Sequence, residues 1–183
     1  MATVFVLSLA GGIAFGVSAL WPGRRDIGYE PDQPIAYSHR LHAGELKIDC
    51  RYCHSTVDRS AFAAVPSVSV CMNCHTQVKS RDSKGNVTRE MQKLLDAWES
   101  QQPLEWVKVH DLADFVFFDH RRHMAAGLEC QECHGPVETM ERVRRVHALT
   151  MGWCLECHRR PPEEDSDPAK TQRAPDHCTT CHR

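Results

Sequence analysis

The pattern that most constrains this chain is a C-x-x-C-H motif that occurs five times and uses all ten cysteines. The motifs begin at Cys50, Cys71, Cys130, Cys154 and Cys178. Twelve histidines among 183 residues are too few for a histidine to follow every pair by chance. The motif is the attachment sequence for c-type haem: both thiols form thioethers with the macrocycle and the histidine ligates the iron. The sequence therefore predicts five covalently bound c-type haems.

Each motif supplies two covalent attachment residues and one proximal iron ligand. The predicted attachment residues are Cys50, Cys53, Cys71, Cys74, Cys130, Cys133, Cys154, Cys157, Cys178 and Cys181. The predicted proximal ligands are His54, His75, His134, His158 and His182. Other uses of C-x-x-C explain the pattern less well. Structural zinc needs no histidine after every pair, disulfide frameworks need no fixed spacing, and redox motifs occur singly.

The apolar residues are unevenly distributed. They make up 42% of the chain but are concentrated in residues 1–21 and in the cysteines, so little aliphatic material remains for a core. We therefore predict a multihaem cytochrome c fold, mostly coil with short α-helices wrapped around five stacked haems. The net charge of −2 gives no large basic surface for nucleic acid.

The N-terminal segment, residues 1–21, has no charged side chain and is long enough to cross a bilayer at about 20 residues per span. We predict one transmembrane anchor here, with a cleaved signal peptide as the alternative. Because c-type haem is attached outside the cytoplasm, we expect residues 22–183 on the periplasmic face of a bacterial cytoplasmic membrane. Arg24 and Arg25 follow the span, against the positive-inside rule, so we also expect a basic segment upstream of Met1.

The remainder divides into three segments. Residues 22–36 are predicted to be an extended tether, residues 37–109 carry the first two motifs, and residues 110–183 carry the last three. One amphipathic helix is predicted between the second and third motifs, with Thr88 as its N-cap and its end near residues 101–103. Its apolar positions, spaced i, i+3, i+4 and i+7, are Met91, Leu94, Leu95 and Trp98.

Candidates for the second axial ligand begin with an internal repeat. Residues 37–42 and 118–123 each contain an aromatic residue and then His-x-x-His, shortly before a C-x-x-C-H motif. This resembles the F-x-H-x-x-H segment of cytochromes c3 and c7, in which the first histidine caps the haem of the following motif and the second caps a different haem. The resemblance implies that His39 and His120 serve the irons at His54 and His134. It also implies that His42 and His123 reach neighbouring haems.

Three further residues are distal candidates. His110 lies in an alternating segment that favours extended backbone, and we expect it to be a ligand. His147 lies near the place where cytochrome c7 has a ligand histidine. Met151 competes with it, because a thioether can be the sixth ligand and raises the potential. His177 adjoins Cys178 and is expected at the surface.

The number of distal candidates favours electron relay over catalysis. A haem that reacts with a small molecule needs an open sixth position, and seven candidates (six histidines and Met151) can fill five. No C-x-x-C-K variant of the motif occurs. We therefore expect an electron-transfer subunit, with a multihaem reductase enzyme as the alternative of another class.

Longer stretches resemble one family in particular, the pentahaem cytochrome c subunit of bacterial alternative complex III, a quinol:electron acceptor oxidoreductase. The resemblance covers residues 28–160. It is carried by residues 34–54, 66–75, 106–123, 130–140 and 149–159. Members have a single N-terminal anchor, and basic residues usually precede it.

The resemblance implies a role and a set of partners. The chain would relay electrons within a quinol-oxidising respiratory or photosynthetic complex to a periplasmic acceptor. It would contact an iron–sulfur subunit, polytopic quinol-binding membrane subunits and a mono-haem cytochrome subunit. The acceptor would be a cytochrome, a high-potential iron–sulfur protein or a blue copper protein. A stand-alone anchored multihaem quinol dehydrogenase feeding periplasmic reductases is the alternative.

Overall fold

A computed structural model describes residues 11–12, 15–16, 27–161 and 174–182. The predicted anchor over residues 1–21 lies almost wholly outside this part, as do residues 22–26 of the predicted tether. Among the described residues, none of the helices combines the length and apolarity that a membrane crossing requires.

The described residues form short helices joined by long irregular segments. The helices are α1 (Arg40–Glu45, π-helical), α2 (Cys50–Cys53), α3 (Val68–His75), α4 (Arg89–Glu99), α5 (His120–Ala125), α6 (Cys130–His134), a 3₁₀ turn (Val137–Thr139), α7 (Met151–His158) and α8 (Cys178–Cys181). In this part of the chain the only β pairing is a single antiparallel bridge between Arg81 and Val87. The prediction of a mostly coil and short-helix chain is confirmed for these residues.

The amphipathic helix α4 confirms its prediction from the sequence. Thr88 is its N-cap, and the Thr88 hydroxyl accepts a hydrogen bond from the Met91 amide. Met91 and Leu94 are buried against Val68 and Met72 of α3, and these four residues form a small apolar cluster. Because Met91 and Leu94 are buried in this cluster, the apolar face of α4 packs within the chain, while Trp98 at its end stays partly exposed.

Tight packing also joins the segment before the first motif to the segment after the third. A Cβ on Gly44 of α1 would lie 2.2 Å from the carbonyl oxygen of Glu138, so only glycine allows this approach. The Arg40 amide donates to the Met140 carbonyl at 2.9 Å, and the Arg40 side chain forms an ion pair with Glu141. The first and third motifs are therefore held close together.

The described part of the predicted tether, residues 27–36, is bonded to the rest of the chain. The Gly28 amide donates to the Arg145 carbonyl at 2.7 Å, and the Arg145 amide donates to the Tyr29 carbonyl at 3.0 Å. The Gln33 side chain both donates to and accepts from the backbone of Val107. These residues therefore follow the surface of the second half of the chain.

Candidate functional site

The paired cysteines of every motif lie on one helical turn. In α2, α3, α6, α7 and α8 the two cysteines are three residues apart, so their side chains share one helix face. Side-chain caps fix the start of several of these turns. Asp49 accepts from the Arg51 amide, Thr150 accepts from the Trp153 amide, and Glu129 and Glu132 form a capping box. None of the ten cysteines is paired in a disulfide, so two thiols per motif are available for thioether bonds.

Four of the five predicted proximal histidines share a second feature. The Nδ1 atoms of His54, His75, His158 and His182 lie 2.8, 2.8, 2.6 and 3.2 Å from the carbonyl oxygens of Ala64, Val78, Pro175 and Phe115. Because a carbonyl oxygen can only accept a hydrogen bond, Nδ1 carries the proton, and Nε2 has its lone pair available to bind a metal. Histidines that bind metals are typically oriented in this way.

Three of the predicted distal histidines have the same arrangement. The Nδ1 atoms of His42, His120 and His123 each lie 2.9 Å from a backbone carbonyl oxygen. The acceptors are Ser38, Ala61 and Asp119. These three imidazoles therefore also keep Nε2 available for a metal.

The structure brings these histidines together in facing pairs. The ring centres of His42 and His75 are 6.1 Å apart. Those of His120 and His134 are 6.4 Å apart, and those of His123 and His158 are 6.1 Å apart. A metal–imidazole bond is about 2.0 Å long and a ring nitrogen lies roughly 1.1 Å from its ring centre, so two imidazoles on opposite sides of one metal have centres roughly 6.2 Å apart. All three pairs match that separation.

The internal repeat is also a structural repeat. Tyr37 meets His39 edge-on, with ring centres 4.8 Å apart, and stacks on His42 at 4.5 Å. Phe118 meets His120 edge-on at 4.7 Å and stacks on His123 at 4.5 Å. One aromatic ring in each repeat thus contacts two imidazoles, and in the second repeat these two face His134 and His158, which belong to different motifs.

His39 occupies in the first repeat the place that His120 has in the second. It is mostly buried, and within the described chain its Nδ1 has no hydrogen-bond partner. Burial, together with the nearby His54, lowers the pKa of His39 to about 4. His39 is therefore neutral at pH 7, the form in which imidazole binds a metal.

His110 has a different geometry. Its ring is nearly perpendicular to that of His134, with centres 4.4 Å apart, which is too close for a metal between the two. Its Nε2 is buried without a partner in the described part of the chain. Burial lowers the pKa of His110 to about 4, with a further contribution from Arg145. Its predicted role as a ligand therefore concerns an iron other than the one at His134.

The remaining candidates lie around α7 and α8. His147 stacks on Trp153, with ring centres 5.2 Å apart. Met151, the first residue of α7, is 66% exposed. His177 is the N-cap residue of α8, and its Nδ1 lies 3.0 Å from the Thr180 hydroxyl. It is exposed, which confirms the expectation of a surface position.

Arg145 was not distinguished by the sequence from the other arginines near the motifs. It is the buried charged residue of the described chain, 6% exposed. Its guanidinium donates to the carbonyls of His147 and Ala148. Such burial of one arginine among many depends on tertiary packing, and no local signal marks it.

The residues present fit c-type haem. Thiol pairs on single helical turns suit thioether formation, and paired imidazoles with free Nε2 atoms suit an iron between them. The two buried, unpartnered nitrogen atoms, His39 Nδ1 and His110 Nε2, lie in the same region as these imidazoles.

Comparison with known proteins agrees with this chemistry. Residues 116–183 match the family described as "Cytochrome c7 and related cytochrome c", and residues 23–100 match the "Class III cytochrome C family". A curated relative is the "Menaquinone reductase, multiheme cytochrome c subunit" of Nitratidesulfovibrio vulgaris, strain Hildenborough. It is 29% identical over 133 residues, which are 73% of this chain and 59% of the relative. The chain thus spans about three fifths of the length of that relative.

The motifs, the facing imidazoles and the two family matches all indicate the same class of protein. Over most of its length the chain is similar to multihaem cytochromes c, which bind c-type haem covalently.

Proposed function

We propose that this chain is the electron-relay subunit of a membrane quinone/quinol oxidoreductase and that it holds five haems. The observation that carries the proposal is the set of three imidazole pairs with ring centres 6.1–6.4 Å apart. Bound c-type haem supplies one-electron transfer at its iron. An iron held between two imidazoles has no open position for a substrate, which favours relay over catalysis.

The ligand assignment that we propose follows the facing pairs. His42 and His75 hold one iron, His120 and His134 a second, and His123 and His158 a third. Because the two repeats have the same internal geometry, His39 is assigned to the iron of His54. His110, His147 and Met151 remain candidates for the iron of His182.

The proposed partners follow from the relative and from the resemblance to alternative complex III. The relative is named as a subunit of a menaquinone reductase, which supports a place beside membrane subunits that bind a quinone. We propose an iron–sulfur subunit and a mono-haem cytochrome subunit as further neighbours. Residues 1–21 would anchor the chain, with the haem-binding part on the periplasmic side.

The direction of electron flow gives a second candidate. The resemblance to alternative complex III favours quinol oxidation and delivery to a periplasmic acceptor. The name of the relative favours quinone reduction by electrons that arrive from a periplasmic donor. The ligand geometry serves both directions equally, because imidazole pairs set no direction.

Purification of the native complex from membranes tests the proposal. We expect the chain's mass to exceed that of the polypeptide by five haems, and polytopic and iron–sulfur subunits to co-purify. Turnover assays with a menaquinol and an oxidised cytochrome, and with a menaquinone and a reduced cytochrome, identify the direction. A chain with fewer haems, or one isolated without membrane subunits, would contradict the proposal. Binding of carbon monoxide to the reduced haems, to the same extent as in a multihaem reductase, would favour the enzyme alternative.

A further inference from the structure

We propose that the five attachment motifs form one unbranched row in the order second, first, third, fourth, fifth, so that the motifs at Cys71 and Cys178 are its two ends. The inference rests on the proposed relay function and adds the order of its sites, which the chain order of the motifs does not give.

The second and first motifs are in direct contact. Asn73, between the cysteines of the second motif, donates to the hydroxyl of Tyr52, between the cysteines of the first, at 3.1 Å. His42, from the segment that precedes the first motif, faces His75 of the second. Motif two therefore lies beside motif one.

The segments that flank the first and third motifs pack against each other. The close approach of Gly44 to Glu138 packs the segment before motif one onto the segment after motif three. His120, which faces His134 of motif three, bonds through Nδ1 to Ala61, which follows motif one. These contacts make motif three the second neighbour of motif one.

The third and fourth motifs share one aromatic residue. Phe118 contacts the rings of His120 and His123, which face His134 and His158 respectively. Motif four therefore lies beside motif three.

The fifth motif extends from the fourth. His158 of motif four is oriented by the carbonyl of Pro175, three residues before Cys178, at 2.6 Å. The Phe117 amide donates to the Cys181 carbonyl at 2.8 Å, so motif five lies against the segment that leads to His120 and His123. Cys74 and Cys178, in the two end motifs, are exposed, as is Cys50.

The order assigns the contacts with partner subunits. A row has two ends, so one partner exchanges electrons at the motif of His75 and another at the motif of His182. The third motif lies in the middle of the row, with two motifs on each side and one direct neighbour on each side.

A structure of the haem-loaded complex by electron cryo-microscopy tests the order directly. We expect the irons ligated by His75, His54, His134, His158 and His182 to be successive nearest neighbours in that order. Contact of the fifth site with the second, or a branch at any site, would overturn it. Five haems in another order would leave the relay function standing, whereas fewer than five would overturn the function itself.

Redox titration of cysteine variants gives a second readout that does not depend on activity. Cys178→Ala with Cys181→Ala removes an end site, and we expect the midpoint potential of one remaining haem to shift. Cys130→Ala with Cys133→Ala removes the central site, and two haems should shift. Equal numbers of shifted haems in the two variants would contradict the order. A variant that loses more than one haem has misfolded, and the structure of the unmodified complex then decides.

Discussion

The imidazole ring of His120 lies parallel to that of His134, with 6° between the ring planes and 6.4 Å between the ring centres. His110 approaches the same ring at 4.4 Å and almost at a right angle. Two histidines thus lie near His134. We propose that only His120, at the larger distance, shares an iron with it.

Replacement of His120 by alanine should convert one haem from low spin to high spin, because the iron at His134 loses its sixth ligand. His110→Ala is the matched comparison, and it should leave that haem low spin. Low-temperature electron paramagnetic resonance (EPR) of the oxidised protein measures both. A high-spin signal from the His134 site in His110→Ala, with none in His120→Ala, would reverse the assignment.

Loss of the aromatic ring at Tyr37 or Phe118 should alter two haems at once. Each ring contacts two imidazoles that we assign to different irons, and each aromatic contact contributes about 0.5–1.5 kcal/mol. We expect Tyr37→Leu and Phe118→Leu to shift the low-spin EPR signals of two haems each, because the ligand planes are free to rotate.

The conservative variant Tyr37→Phe separates positioning from chemistry. It keeps the ring and should give the spectrum of the unmodified protein. If Tyr37→Phe shifts the signals as much as Tyr37→Leu does, the hydroxyl matters and the ring contact does not.

The close contact at Gly44 predicts a large loss of stability on enlargement. A methyl group there would meet the Glu138 carbonyl, and we expect Gly44→Ala to lower the free energy of unfolding by about 1–3 kcal/mol. Gly152→Ala is the control, because the nearest atom to its added Cβ is 4.0 Å away in a helix. Denaturant unfolding of both variants gives the comparison. Equal stability of the two would show that α1 moves away at little cost.

Glu90 predicts a pH-dependent contact between α4 and residues 34–36. Its carboxylate accepts from the Lys93 ammonium and from the Ala36 amide, and these bonds hold the pKa of Glu90 below its usual range. The contact is fully present above the unfolded-state pKa and is lost as the pH falls through the lower, folded-state value. Since the pair is partly exposed, we expect no more than about 1 kcal/mol.

Comparison of Glu90→Gln with the unmodified protein at several pH values tests this. The stability difference between them should be largest near neutral pH and should shrink in acid. Glu99→Gln, on an exposed position of the same helix, is the control and should show no such trend. A difference that stays constant with pH would contradict the role of the Glu90 charge.

Local patterns in the sequence were enough for several features. The five C-x-x-C-H motifs predict helical turns with both thiols on one face, since residues three apart in a helix are neighbours. The spacing of Met91 and Leu94 and the cap at Thr88 predict α4. These features depend on residues less than two helical turns apart, so the chain itself carries their signal.

By itself, then, the sequence was enough to predict the chemistry of this protein: covalent haem, histidine ligands and a repeated distal segment. Tertiary structure alone decided which imidazoles face each other, that His110 stands too close to His134 to share a metal with it, and that Arg145 is the buried arginine. The contact of Gly44 with Glu138 joins residues far apart in the chain, and so does that of His120 with Ala61. Such contacts depend on how irregular segments pack, and no periodicity encodes the path of irregular backbone.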